Sequence, residues 1–173
     1  VHRNFRKPLI IMTPKSLLRH KLCVSDLDEF GPETSFHRVL WDNEKLCEDE
    51  DVKRVVLCSG KVYYDLYEER AKQGIKDVFF LRMEQLYPFP KKALVKELSR
   101  FKHAEIVWCQ EEPENMGAWT FIDRRLEAVL NEIDADQKRP RYVGRPEAAS
   151  PATGNAARHR REQEKLVHDA LTL

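Results

Sequence analysis

Short apolar runs that alternate with helical stretches constrain the fold of this 173-residue chain more than any other feature. The runs Arg54–Ser59, Val78–Arg82 and Ala104–Gln110 are rich in Val, Ile, Leu and Phe, which is typical of strands buried on both faces. Between them lie Lys61–Gln73, which is followed by Gly74, and Pro90–Arg100, whose apolar residues recur at helical spacing. This order predicts an α/β domain of three layers, in which a mostly parallel sheet lies between helices.

The remaining elements complete the predicted sheet and its helices. The other predicted elements are three strands over Pro8–Thr13, Phe36–Trp41 and Arg141–Val143, and two helices over Gly117–Leu130 and Asn155–Leu171. The acidic stretch 48–51 is typical of a solvated turn. We therefore expect Phe36–Trp41 to pair with Arg54–Ser59 as an antiparallel hairpin.

Length, charge and cysteine usage exclude several classes of protein. The length favours one domain over residues 1–173, and the net charge of +1 argues against broad binding to nucleic acid or to an anionic membrane. Cys58 and Cys109 lie in predicted buried strands and are interpreted as small apolar residues. None of the four cysteines forms a C-x-x-C pair and the histidines are scattered, so we expect no metal site. Because the chain begins with Val1 and its first methionine is Met12, we interpret it as part of a longer protein.

Cationic and amide side chains stand at the ends of the predicted strands. Lys61 opens a helix after one strand, Arg82 ends a second, and Gln110 ends a third. The carboxyl ends of parallel strands face one crevice, where helix amides also attract anions. Arg6 and Arg19 flank the first predicted strand. We expect these five residues to form a regulatory site for a phosphate or an acyl-CoA.

The alternative interpretation assigns these cations to the structure itself. Carboxylates occupy the same strand ends, so Lys61 and Arg82 would pair internally with the acidic side chains there, which are Glu84, Glu111 and Glu112.

The segment Glu111–Trp119 combines charges with apolar residues. Glu111 and Glu112 precede Met116 and Trp119, a composition suited to an interface with a buried centre. We expect a contact between copies of the chain here; the alternative is that Trp119 packs into the core of its own domain. No nucleophile–base pair stands out, so we predict no catalytic and no cofactor-binding residue.

Five segments together resemble one known family. They are KPLIIMTPKSLLRH (Lys7–His20), CSGKVYYDL (Cys58–Leu66), RMEQLYPFP (Arg82–Pro90), QEEPENMGAW (Gln110–Trp119) and RPEAASPATG (Arg145–Gly154). In this order they resemble the carboxyl-terminal domain of the thiamine-diphosphate-dependent decarboxylating subunit of the 2-oxoglutarate dehydrogenase complex. The resemblance runs over nearly the whole chain.

The resemblance implies both a fold and a function. The fold is that of a transketolase carboxyl-terminal domain, a five-stranded sheet with one antiparallel strand and helices on both faces. The family decarboxylates 2-oxoglutarate on thiamine diphosphate and Mg²⁺ and passes the succinyl group to the lipoyl arm of a partner acyltransferase in the citric acid cycle. Its members are homodimers whose cofactor is bound by preceding domains, so the implied role of this domain is dimer contact without catalysis.

Two other interpretations remain open on the sequence. One is the equivalent domain of another 2-oxo acid dehydrogenase or of transketolase. The other is a free-standing module that binds acyl-CoA or a nucleotide. The resemblance implies the cytoplasm for a bacterial source, which we favour, and the mitochondrial matrix for a eukaryotic one.

Overall fold

A computed structural model describes residues 4–173 and divides them into two units at Thr34. In the first unit, two short 3₁₀ helices span Lys15–Arg19 and Leu27–Phe30. The strand predicted over Pro8–Thr13 is not formed, because residues 6–14 have no regular secondary structure. A lone strand has no neighbour to satisfy its backbone groups. The single domain that the sequence predicts over residues 1–173 therefore remains a prediction.

The second unit, Ser35–Leu173, holds a five-stranded mixed sheet. Its strands are β1 (Val39–Trp41), β2 (Arg54–Cys58), β3 (Val78–Met83), β4 (Glu105–Pro113) and β5 (Arg141–Arg145). Their order is β1-β3-β2-β4-β5, and β1 alone runs antiparallel to its neighbour. The predicted α/β class, with five strands of which one is antiparallel, is confirmed.

The predicted hairpin between the first two of these strands is wrong. Strand β1 pairs with β3, with Val39 opposite Met83, and β2 lies between β3 and β4. All five residues of β2 are buried, whereas β1 is only partly buried. A strand that is apolar on both faces gains most at the centre of a sheet, and a short, half-exposed strand is suited to the edge.

Helices cover both faces of the sheet. They are α1 (Val62–Gln73), α2 (Lys91–Leu98), α3 (Trp119–Glu132) and α4 (Ala156–Leu171). Alternate strand residues point to opposite faces. Leu57, Leu81 and Trp108 join Leu94 and Leu126 in the core under α2 and α3.

On the opposite face, the sheet packs against α1 and α4. The ring of Phe80 lies edge-to-face against that of Tyr63 from α1, with 6.0 Å between the ring centroids. Gly74 ends α1 in the left-handed conformation (φ +66°), as the sequence predicts. Among the described residues, no helix is long and apolar enough to cross a membrane.

A buried ion pair fixes the segment after β1 to α1. The side chains of Asp42 and Arg70 are 0% and 1% exposed, and the guanidinium meets the carboxylate with two hydrogen bonds. Arg70 also donates to the carbonyl oxygen of Val78 at 3.0 Å and lies 4.3 Å from the centroid of the Phe80 ring. The amide of Phe80 donates to Asp42 at 3.1 Å.

A second buried arginine holds the carboxyl end of α4. Arg54, at the start of β2, donates to the carbonyl oxygens of Ala170 (2.9 Å) and Thr172 and pairs with Glu105 of β4 at 2.6 Å. Arg141 of β5 donates to the other oxygen of the same carboxylate. These bonds satisfy helix carbonyls that lack a partner within the helix.

Candidate functional site

A groove opens at the carboxyl ends of β2, β3 and β4. Its volume is about 540 Å³, within the range of small-molecule and peptide pockets. It is lined largely by apolar surface, from Ser59, Gly60, Leu86, Tyr87, Trp108, Gln110, Glu112, Gly117, Ala118 and Phe121. Open α/β sheets place their ligands at this edge, so the groove is the candidate site of this domain.

Gln110 organises the floor of the groove. Its side-chain oxygen accepts hydrogen bonds from the indole nitrogen of Trp108 and the backbone amide of Trp119, both at 3.0 Å. Its amide nitrogen donates to the carbonyl oxygens of Pro113 (3.1 Å) and Met116 (2.7 Å). Because Gln110 is only 3% exposed and these bonds use both its oxygen and its nitrogen, it shapes the loop and has little capacity left for a ligand.

Gly117 lets this loop close over Gln110. Its φ is +67°, a region that other residues adopt only with strain. A Cβ atom at this position would lie 2.9 Å from the side-chain nitrogen of Gln110. The turn that leads into α3 therefore depends on a glycine for both its backbone conformation and its packing.

The cations at the strand ends have internal partners. Lys61 forms an ion pair with Glu111, which joins the start of α1 to the end of β4. The Nε atom of Arg82 lies 2.6 Å from a carboxylate oxygen of Glu84, and its guanidinium lies 4.6 Å from the centroid of the Tyr63 ring. These contacts are the ones that the alternative interpretation describes.

Arg82 and Gln110 do not face the same crevice. Arg82 stacks on Tyr63 of α1, whereas Gln110 bonds to Trp108 in the core under α2 and α3. They therefore lie on opposite faces of the sheet, and Arg82 does not line the groove. Arg6 and Arg19 are exposed residues of the first unit. The regulatory anion site stays a prediction.

The predicted interface residues border the groove. Trp119 is partly buried against the core, and its ring centroid lies 5.3 Å from that of Tyr142. This agrees with the alternative that Trp119 belongs to its own domain. Met116 is half-buried and Glu112 is exposed, so both remain available at the rim.

An exposed aromatic residue at the groove, Tyr87, is not among the predicted site residues. Tyr87 is 81% exposed, although it lies beside the half-buried Leu86 and the groove wall. The Pro-aromatic segment 86–90 carried the signal, because a rigid turn can hold an aromatic side chain in solvent. Exposed aromatics at the rim of an apolar groove are typical of protein interfaces.

The two strand cysteines are chemically quiet, as the sequence predicts. Cys58 and Cys109 are fully buried, opposite each other in β2 and β4. Burial raises the pKa of the Cys58 thiol to about 12 and that of Cys109 well above its ordinary value. Burial therefore favours the protonated, less reactive form of both thiols.

Comparisons with known proteins agree on one family. The family described as "2-oxoglutarate dehydrogenase C-terminal" matches residues 24–171. The "2-oxoglutarate dehydrogenase E1 component" of Brucella anthropi is 64% identical over 98% of this chain, and those of Brucella ovis and Brucella canis are 63% identical over the same share. The chain spans 18% of the length of these relatives.

A solved structure shows a more distant likeness. It is described as "Split gene transketolase, inactive beta4 tetramer", and it is 17% identical to this chain with a TM-score of 0.48. The match covers 83% of this chain and 46% of that structure.

Proposed function

Because the chain belongs to the 2-oxoglutarate dehydrogenase C-terminal family, we propose that it is the non-catalytic carboxyl-terminal domain of an enzyme that decarboxylates 2-oxoglutarate and succinylates a lipoyl carrier. The observation that carries this proposal is the identity of 63–64% to E1 components over 98% of the chain. We favour it over an equivalent domain of transketolase or of another 2-oxo acid dehydrogenase, and over a free-standing module.

The groove does not fit the cofactor of the parent enzyme. Thiamine diphosphate with Mg²⁺ requires oxygen ligands for the metal and donors for the diphosphate. The groove lining offers one carboxylate, Glu112, for a metal, while the amide of Gln110 is used by its own loop and Lys61 is paired with Glu111. We therefore assign cofactor binding to the domains of the parent chain that lie outside this sequence.

The contacts support a scaffolding role at this edge of the sheet. Gln110 and Lys61 are bound within the chain, whereas the apolar wall of the groove and Tyr87 face solvent. Covering such a surface with an apolar protein segment lowers the free energy, because apolar area is removed from water. We infer that the groove and the loop Glu111–Trp119 contact the partner subunit of a homodimer. The lipoyl-bearing acyltransferase stays a predicted partner of the parent enzyme.

Activity measurements test this assignment. The complete E1 chain and this chain alone are assayed with 2-oxoglutarate, thiamine diphosphate, Mg²⁺ and an artificial electron acceptor, with pyruvate as the control substrate. We expect turnover of 2-oxoglutarate by the complete chain and none by this chain. Diphosphate-dependent turnover by this chain alone would refute its non-catalytic role, and a complete chain that prefers pyruvate would refute the substrate.

A further inference from the structure

Residues Pro8–Thr13 form an apolar run that the structure leaves in water. Leu9, Ile10, Ile11 and Met12 are 83%, 82%, 69% and 90% exposed, and residues 6–14 are in no helix or strand. Four large apolar side chains in succession are costly to hydrate, and such exposure usually marks a surface that another protein segment covers.

The pattern of this run is that of a strand rather than a helix. The run is six residues long and is closed by Pro14, which is too short for a stable helix but ordinary for a strand. In a strand, Leu9 and Ile11 would point to one face, and Ile10 and Met12 to the other. Because both faces are apolar, the strand suits a parallel sheet that is covered by helices on both sides.

The run Pro8–Thr13 lies outside the residues that match the family but within the part of the chain that matches the Brucella proteins. The family match begins at residue 24, whereas the Brucella proteins match 98% of the chain. Even if every unmatched residue lay at the amino end, that match would include residues 8–13. Since the chain spans 18% of those relatives, most of their structure lies outside it.

We propose that Pro8–Thr13 is a β-strand that completes a sheet in the part of the E1 chain that precedes this domain. The proposal rests on the proposed function, in which this chain is the carboxyl-terminal part of an E1 component. The partner is therefore the same polypeptide, and its binding surface is a strand edge with apolar layers above and below. Backbone hydrogen bonds to that edge would supply the pairing that residues 6–14 lack here. Pro8 stands at the first position of the strand, where proline is tolerated.

Hydrogen exchange measured by mass spectrometry tests the strand. In the complete E1 chain, we expect the amides of residues 9–13 to exchange roughly a thousandfold more slowly than in this chain alone, because core strands open only rarely. The buried strand β2 is the internal reference, because its amides should be protected in both proteins. Fast exchange of residues 9–13 in the complete chain would overturn the proposal. Protection that appears in this chain alone and grows with its concentration would also overturn it, because the strand would then pair between copies.

A substitution with a matched control tests the burial of the run. Ile11→Asp should lower the melting temperature of the complete E1 chain and leave that of this chain unchanged. Leu27→Asp is the control, because Leu27 is 89% exposed but lies in a 3₁₀ helix without a strand pattern. No effect of Ile11→Asp, or an equal loss from both variants, would count against the proposal. The turnover of 2-oxoglutarate by the complete chain separates the strand proposal from the proposed function. If the complete chain is active but residues 9–13 exchange fast, only the strand is rejected. If the complete chain is inactive, the proposed function is rejected.

Discussion

Replacing Arg70 should lower the free energy of unfolding of the sheet domain by more than a substitution of an exposed residue does. In Arg70→Met, the carboxylate of Asp42 loses its two guanidinium hydrogen bonds and keeps those from the backbone amides of Phe80 and Glu44. The carbonyl oxygen of Val78 also loses a donor. Breaking a buried ion pair on one side costs about 3–5 kcal/mol, since an uncompensated charge stays buried. The side chain of Met is apolar and similar in volume to that of Arg, so the substitution should lose little packing.

Urea unfolding of the chain, followed by circular dichroism, measures this cost. The control is Lys45→Met, which removes a pair with Glu48 whose two side chains are 64% and 69% exposed, and which should change the free energy of unfolding by less than about 1 kcal/mol. Adding Asp42→Asn to Arg70→Met removes the orphaned charge, so the double variant should lose less than the sum of the single variants. A cost below about 1 kcal/mol for Arg70→Met would refute the argument that burial makes this pair a determinant of stability.

Three further predictions concern the strand ends and the interface. In sedimentation experiments, Met116→Glu should shift the complete E1 chain toward monomer, while the same substitution at the exposed Thr120 should not; an unchanged balance in Met116→Glu would remove the loop from the interface. In titration calorimetry with millimolar acetyl-CoA, the internal ion pairs of Lys61 and Arg82 favour no heat of binding to this chain; a heat that Arg82→Ala abolishes would support the predicted anion site instead. Burial raises the pKa of Glu105, but hydrogen bonds from two arginines outweigh it and hold the pKa below its ordinary value of 4.5. The stability that this carboxylate contributes is complete above that pH and is lost as the pH falls through the lowered pKa. The urea midpoint of the wild type should therefore fall more steeply below pH 4.5 than that of Glu105→Gln, and parallel pH profiles would contradict this assignment.

The sequence predicts correctly where the three central strands end, but not the contacts that side chains make there. Strands β2, β3 and β4 end side by side, as their apolar runs predict. Whether Lys61 and Arg82 bind an anion or a carboxylate depends on distances across elements that are far apart in the chain. Spacing alone cannot supply those distances, and both interpretations were therefore open.

Periodicity along the sequence is sufficient to identify the strands and helices of the second unit. Periodicity is a local property, so Arg54–Cys58 and Val78–Met83 could be recognised from their own residues. Strand pairing could not be predicted in this way, because β1 forms its hydrogen bonds with β3 and not with its neighbour in sequence. The burial of Asp42 and Arg70 also depends on the folded chain, since a charged residue looks the same in sequence whether it faces water or a partner 28 positions away.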